Sequence, residues 1–264
     1  MTIATTVERI YRIDYDGSSR YVVEREGSVR LVDGDIFGAY TLSKEIANSG
    51  IGAATRLLAP VVPSKIVAVG LNYKDHAAEQ NKPLPSEPLI FLKPSTSVIG
   101  PGAAIRIPPG IGRVDHEAEV GVVIGKRAHR VPRERAHEYI LGLTCVNDVT
   151  ARDLQNRDSQ YTRCKGFDSF GPIGPCIATG LNGVIDDLDV EGWVNGEQRQ
   201  RSNTRELIFS IPDLLAWISF VMTLLPGDII STGTPAGIGP IRAGDRVTVK
   251  VQQVGELTNT VEAE

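Results

Sequence analysis

The sequence predicts a mainly β protein with few helices, and three observations carry that reading. Short runs alternate apolar and polar residues and are separated by Asp-Gly, Glu-Gly and Asn-Gly turns. Other runs, such as Lys65-Ile66-Val67-Ala68-Val69-Gly70, are almost wholly apolar and of strand length. A sustained helical repeat stands out at Ile211 to Leu225, with apolar residues at 211, 214, 215, 218, 221, 222 and 225.

Taken in order, residues 1–60 read as a small N-terminal β domain. Tyr11-Arg12-Ile13-Asp14-Tyr15, Tyr21-Val22-Val23 and Val29-Arg30-Leu31-Val32 form a meander, and Thr41 to Leu58 are expected to hold helical turns. Pro60 and Pro63 end any helix and place a junction near residue 60, leaving residues 61–264 as the larger domain. After the strand at 65–70, Asn72 to Asn81 favours a helical turn and leads into a loop studded with Pro83, Pro85 and Pro88. Leu89 to Pro94 is a strand, and the glycines and prolines of 95–109 read as connector. Residues 115–125 form a strand, 133–142 a short helix, and 141–148 a strand that ends on Asp148. Val190 to Glu197 is a hairpin turning at Asn195-Gly196, and Asp228 to Gly233 a strand leading to the glycine loop 234–239. Residues 245–251 and 256–261 make a closing hairpin.

Composition excludes several functions. Hydrophobic residues are 41% and charged residues 23% of the 264, which suits a packed core and argues against disorder. Net charge is −4 and no basic run interleaves with aromatics, so nucleic acid is not the expected partner. No basic segment followed by an apolar one opens the chain, and no run reaches the ~18 apolar residues of a membrane span. The expectation is a cytoplasmic protein with no membrane partner. Cys145, Cys164 and Cys176 are odd in number and form no C-x-x-C pair, which fits reduced thiols.

The chemistry centres on Asp115-His116-Glu117-Ala118-Glu119-Val120-Gly121-Val122-Val123-Ile124-Gly125. On a strand, Glu117 and Glu119 project to one side about 7 Å apart. Either they are solvated on an exposed edge, or they are buried and a cation relieves their repulsion. Asp148 adds a third carboxylate at a strand end. Oxygen donors without Cys or His at metal spacing favour magnesium, manganese or calcium over zinc or copper. His76 and Glu79, three apart, share a helix face, either as surface charge or as a catalytic pair next to a buried strand. Lys165, before a glycine in a turn-rich segment, either reaches a substrate oxygen or is solvated. The loop at Thr234 lacks the signature of a phosphate or dinucleotide loop; its N–H groups and the Thr234 hydroxyl suit a carboxylate.

Six pieces recur together in the order of one family: Gly70-Leu71-Asn72-Tyr73-x-x-His76-x-x-Glu79, Phe91-Leu92-Lys93-Pro94, Asp115-x-Glu117-x-Glu119, Asn147-Asp148-Val149-Thr150-Ala151-Arg152-Asp153-x-Gln155, Lys165-Gly166-Phe167-Asp168 and Thr232-Gly233-Thr234-Pro235-Ala236-Gly237. From about residue 65 onward the chain resembles the fumarylacetoacetate hydrolase family; the first 60 residues resemble the N-terminal domain of its smaller bacterial members loosely. The resemblance implies a mixed β-roll or distorted barrel, usually a homodimer, with Mg²⁺ or Mn²⁺ held by Glu117, Glu119 and Asp148. It implies a lid around residues 72–88 that carries His76 and Glu79, and its polar, proline-rich composition predicts mobility.

Family substrates are mostly 2-oxo or 2,4-dioxo acids. In the hydrolase reading Glu79 orients His76, which activates water, while Lys165 and Gln155 stabilise the developing oxyanion. Thr234, Tyr73 and Arg152 complete the expected substrate contacts. The lead expectation is cleavage of a carbon–carbon bond in an acylpyruvate-type acid. Oxaloacetate decarboxylation and isomerisation of a 2-hydroxyhepta-2,4-diene-1,7-dioate use the same groups and stay open, as does, more remotely, a non-catalytic protein that binds a small diacid. The chain lacks the long N-terminal domain of fumarylacetoacetase proper, carries one copy of the motif set, and has a short 156–164 segment, all of which bear on the substrate more than on the mechanism.

Overall fold

Strands dominate the computed structural model of the protein, which describes residues 7–46, 51, 56–181 and 183–264. Among the described residues they form three sheets, none closed into a barrel. The largest has ten strands in a row: Tyr40–Ile46, Ser28–Gly34, Ser18–Arg25, Glu8–Tyr15, Gly171–Thr179, Ile140–Asn147, Ala118–Ile124, Ile229–Ser231, Ile66–Gly70 and Leu89–Lys93. Arg56–Leu57 and Val98–Ile99 pair at its flanks. A five-stranded sheet runs through Glu197–Asn203, Asp189–Val194, Arg246–Val251, Gly255–Ala263 and Ala104–Ile107. A three-stranded sheet joins Thr150–Ala151, Val114–His116 and Gly239–Ile241.

The N-terminal meander is hydrogen-bonded into the large sheet, with Ile10 opposite Ile177. The helical turns expected within 41–58 are corrected where the residues are described. Tyr40–Ile46 is a strand, because its Tyr, Thr and Ile favour pleated backbone and its apolar positions meet Val29 and Val32 of the neighbour. Residues 47–50 and 52–55 lie outside the described residues. Two further expectations change. The connector 95–109 contains Ala104–Ile107, which pairs parallel to Gly255–Ala263. The short helix at 133–142 is a 3₁₀ segment, Arg133–Tyr139, and Ile140 already begins the next strand.

The helix Ile211–Val221 starts at a capping box, in which Ser210 and Asp213 satisfy each other's backbone N–H groups. It buries Ile211, Leu214, Leu215 and Ile218 against Val120, Val122 and Ile124 of the strand Ala118–Ile124. The opposite face of that strand packs Val123 against Ile66, Val146, Ile173 and Ile229. A strand covered on both faces reads as an unbroken apolar run, which is why Val120-Gly121-Val122-Val123-Ile124 lacks polar alternation. Among the described residues no helix is long and apolar enough to cross a membrane.

The strands Ile140–Asn147 and Gly171–Thr179 approach closely because Gly142 has no side chain: a Cβ there would lie 2.3 Å from the carbonyl oxygen of Ala178. Gly142→Ala is therefore expected to cost about 1–3 kcal/mol. In thermal melts this lowers Tm by roughly 5 °C, whereas Gly183→Ala, where a Cβ meets nothing within 4 Å, leaves it unchanged. Equal melts for the two variants would contradict the close packing of these strands.

Candidate active site

The antiparallel ladder between Ala118–Ile124 and Ile140–Asn147 sets the site. Ala118 pairs with Asn147 and Glu119 with Val146, and the Asp148 N–H donates to the Glu117 carbonyl at 2.9 Å, so Asp148 lies across from Glu117. Residues directly opposite present their side chains to the same face, and Glu119 returns to that face two residues on. Glu117 itself sits between two strands: Val114–His116 belongs to the three-stranded sheet and Ala118–Ile124 to the large one. The chain changes sheet at this residue, which aims the carboxylate into the gap between them.

All three carboxylates are buried, and each offers an oxygen within 4.8 Å of the others. The alternative of solvated glutamates on an edge strand is thereby overturned. Lys165 Nζ donates to Glu117 and to Asp148, both at 2.6 Å. Lys93 Nζ donates to the second Asp148 oxygen at 2.6 Å and to the Lys165 carbonyl at 2.5 Å. Arg152 pairs with Glu117 and also with Asp115 at 2.9 Å. Glu119 is treated differently: it accepts from the Ser231 hydroxyl at 2.5 Å and the Gly233 N–H at 3.0 Å, with no cation among the described residues bonded to it.

The electrostatics follow. Burial pushes the Glu117 carboxyl up, but Lys165 and Arg152 outweigh it and bring its pKa down to about 2. Burial pushes Glu119 up as well, and the negative charges of Asp148 and Glu117 add to this, giving about 8. Burial works against the Lys165 ammonium, yet Asp148 and Glu117 hold it charged well above the ordinary lysine range. Lys93 goes the other way, because burial exceeds what Asp148 returns. Three hard oxygen donors, one of them short of countercharge, are the donor set that a divalent cation fits.

The helix Lys74–Glu79 brings up the second half of the site. His76 Nδ1 lies 2.9 Å from Glu79 Oε2, and the Gln80 amide nitrogen lies 2.8 Å from His76 Nε2. An amide nitrogen only donates, so this arrangement places the ring proton on Nδ1 and leaves Nε2 as the acceptor, the form a general base requires. Glu79 also accepts from Gly237 N–H at 3.0 Å, while Asp75 accepts from the Ser202 hydroxyl at 2.6 Å and from Ala236 N–H at 3.4 Å. The helix is thus latched onto the glycine loop. In that loop the Thr234 hydroxyl donates to the Ala118 carbonyl at 3.0 Å and accepts from Gln200 at 2.7 Å. Its hydroxyl is committed to the fold, and its N–H is the group left for an anion.

A cavity of about 270 Å³ joins these parts. His76, Glu117, Glu119, Arg152, Gln155, Lys165 and Thr234 line it. Glu79 stands behind His76 and Asp148 behind Lys165. Tyr73, expected to touch substrate, does not line the cavity. It is fully buried in the apolar core beside Val67, Val69 and Leu207, its hydroxyl has no hydrogen-bond partner among the described residues, and burial together with the charges of Glu119 and Asp75 keeps that hydroxyl protonated. Lys93, Gln80 and Ser231 were given no role from sequence. Lys93 carried a signal, a lysine inside an apolar strand; Gln80 and Ser231 acquire their roles from tertiary contact alone. Cys164 is buried and donates to the Tyr161 carbonyl at 3.2 Å, and burial pushes its thiol up, which makes it a poor nucleophile.

Residues 65–262 match the family described as fumarylacetoacetate (FAA) hydrolase C-terminal. The chain is 42% identical over 216 residues to the human mitochondrial oxaloacetate tautomerase FAHD2A, covering 77% of this chain and 68% of that one. The crystal structure of a 5-carboxymethyl-2-hydroxymuconate delta-isomerase from Mycobacterium smegmatis is similar at 43% identity and a TM-score of 0.88, covering 97% of this chain and all of that one. The maleylpyruvate hydrolase from Sphingobium sp. SYK-6 is 31% identical with a TM-score of 0.78, with coverages of 97% and 100%.

The raised Glu119 carboxyl has a measurable consequence. After treatment with a chelator, folded Glu119 keeps its proton to about pH 8, whereas the unfolded chain releases it near the ordinary glutamate value of 4.5. Its contribution to stability is therefore full below that lower value and is lost as pH rises toward 8. Glu117, depressed to about 2, has the opposite sign and loses its contribution only in stronger acid, outside this window. Chelated protein is expected to melt lower at each step from pH 5 to 8, and saturating Mg²⁺ to flatten that trend by holding Glu119 ionised. A flat profile without metal would show that Glu119 is already ionised.

Proposed function

Because the chain belongs to the fumarylacetoacetate hydrolase family, we propose that it is a divalent-metal-dependent hydrolase that cleaves a carbon–carbon bond in a 2,4-dioxo acid of the acylpyruvate or fumarylpyruvate type. One observation carries the reading: a histidine oriented by Glu79 lines the same cavity as Glu117 and Glu119, with Asp148 completing the buried carboxylate cluster beside them. Glu117, Glu119 and Asp148 would hold Mg²⁺ or Mn²⁺, which when bound supplies Lewis-acid polarisation of the oxo-acid oxygens.

The remaining work falls to the chain itself. Glu79 accepts the Nδ1 proton of His76 and so keeps Nε2 unprotonated, able to take a proton from water once the Gln80 amide yields its place. That water adds to the distal carbonyl carbon; the adjacent carbon–carbon bond breaks, its electron pair leaves with the pyruvate fragment, and that fragment takes up a proton. Lys165 has three N–H donors, two of them engaged by Glu117 and Asp148, so the third is left for the oxygen that becomes negative. Gln155 accepts from Arg152 through its carbonyl and keeps its amide N–H groups for substrate. The Thr234 N–H serves the carboxylate. Val69, Leu71, Leu89 and Phe91 give the same cavity an apolar wall, which suits an acyl chain better than a compact acid.

A second reading is favoured by two of the relatives, named as a tautomerase and an isomerase. Here His76 takes a proton from one atom of oxaloacetate or of a 2-hydroxy-dienedioate and returns it to another, with no attacking water. Decarboxylation of oxaloacetate uses the same groups. We also infer a homodimer, since Leu89 and Leu92 are exposed on the free edge strand of the large sheet and Leu84 is exposed in the lid; light scattering reads the mass directly.

Steady-state assays with Mg²⁺ on acetylpyruvate, fumarylpyruvate, oxaloacetate and a 2-hydroxyhepta-2,4-diene-1,7-dioate decide between the readings. Hydrolysis of an acylpyruvate is expected, with kcat reduced about 10²–10⁴-fold by His76→Ala and lost together with Mg²⁺-dependent thermal stabilisation in Glu119→Ala. Turnover of oxaloacetate or the dienedioate alone would replace the hydrolase reading with the second one.

A further inference from the structure

Resting on the reading of a 2-oxo acid substrate, we propose that Lys82 sets specificity at this site by pairing with a carboxylate at the far end of the substrate. The protein then prefers 2-oxo diacids over monoacids of equal length.

The argument starts from charge. Three cationic side chains line the cavity: Lys82, Arg152 and Lys165. Arg152 is committed to Asp115 and Glu117, and Lys165 to Glu117 and Asp148. Among the described residues Lys82 has no ion pair and no side-chain hydrogen bond. It is the lining cation whose charge no protein group answers. Glu117 and Glu119 are buried while Lys82 is exposed, and all three line one cavity, so the lysine is its solvent-facing charge and the carboxylates its buried ones. Leu71, Pro85, Leu89 and Phe91 also line it, an apolar surface suited to the hydrocarbon stem of a molecule charged at both ends.

The lysine is also fixed at its root. Asn81 takes a left-handed conformation, φ 52°, and its N–H donates to the Ala78 carbonyl at 3.1 Å, while the Lys82 N–H donates to the Ala77 carbonyl at 3.0 Å. These two bonds are a Schellman cap on the lid helix. Pro83 then holds Lys82 to extended backbone. Lys82 therefore leaves the same rigid turn that ends the helix carrying His76. A distal carboxylate drawn to Lys82 pulls on that turn, so binding energy from the unreactive end of the substrate helps to seat the base.

The test compares 2-oxoadipate with 2-oxohexanoate, equal in length and differing in the distal carboxylate, by calorimetry on the Mg²⁺-loaded protein. Wild type is expected to bind the diacid about tenfold more tightly, the size of one charge-assisted hydrogen bond at a partly exposed site. Added salt should narrow the gap. Lys82→Met should bring the diacid down to the affinity of the monoacid, and Lys82→Arg should restore most of the difference. Equal affinities in wild type, or a gap that survives in Lys82→Met, would make Lys82 a solvated lysine only and overturn the proposal. The two readings fail separately: a Lys82-dependent gap in a protein that hydrolyses no acylpyruvate sinks the hydrolase reading alone, and active hydrolysis without the gap sinks the role of Lys82 alone.

Discussion

Three carboxylates on one face at the end of one antiparallel ladder are the constraint that the rest of the molecule answers. Glu117 and Asp148 face each other across the pair and Glu119 follows on the same side. Burying such a set uncompensated would cost several kcal/mol per charge. The fold supplies Lys165 between two of them, Lys93 behind Asp148, and Arg152 against Glu117, and Asp115 in turn holds Arg152 and Arg113. These partners come from four separate stretches of the chain. Each must be in place for the others to be neutralised, so this cluster ties the large sheet to the three-stranded sheet at the residue where the chain passes between them.

The base depends on tertiary contacts in a comparable way. A helix of six residues has little stability of its own in water. Lys74–Glu79 holds its shape because Asp75 and Glu79 reach the N–H groups of Ala236 and Gly237, and because Asn72 is bonded through its side chain to Thr232 and Phe209. Glu79 thus has two tasks, orienting His76 and docking the helix onto the loop that carries Thr234. Displacement of that loop would shift Glu79 and with it His76, so on the proposed reading an anion held at Thr234 and proton transfer at His76 would share one support.

Much of this was legible before any coordinates. The acidic pair, the strand ending on Asp148 and the His76–Glu79 spacing follow from the periodicities of strand and helix, and six motif pieces in one order pointed to the family. What escaped has physical reasons. Gly171–Thr179 lies near the middle of the large sheet, yet its Gly-Pro-Ile-Gly-Pro sequence reads as turn. It is a strand because its neighbours on both sides supply the ladder, and the glycines permit close approach. The sequence of 41–46 shows mixed propensity, and pairing with Ser28–Gly34 decided it. Tyr73 shares a motif with His76, which lines the cavity, but Tyr73 sits at the N-cap of the helix Lys74–Glu79 and its side chain lies in the core. Thr234 lines the cavity, but its hydroxyl is taken by Gln200 and Ala118, a pairing that no pattern within the loop announces.

On the proposed reading, the triad and the dyad point to a class of substrate more firmly than to a reaction. An electrostatic site for an oxo-acid head and a base opposite it serve hydrolysis, decarboxylation and tautomerisation alike, and relatives with different names share the fold. The distinction between hydrolysis and proton transfer to carbon turns on what reaches the His76 lone pair. Hydrolysis needs a water within hydrogen-bond distance of Nε2, in the place that the Gln80 amide holds at 2.8 Å. Proton transfer needs the substrate carbon there instead. Gln80 is the cap residue of the helix Lys74–Glu79 and sits two positions before Lys82, so on the proposed reading a pull on that turn by the far end of the substrate would move the amide as well.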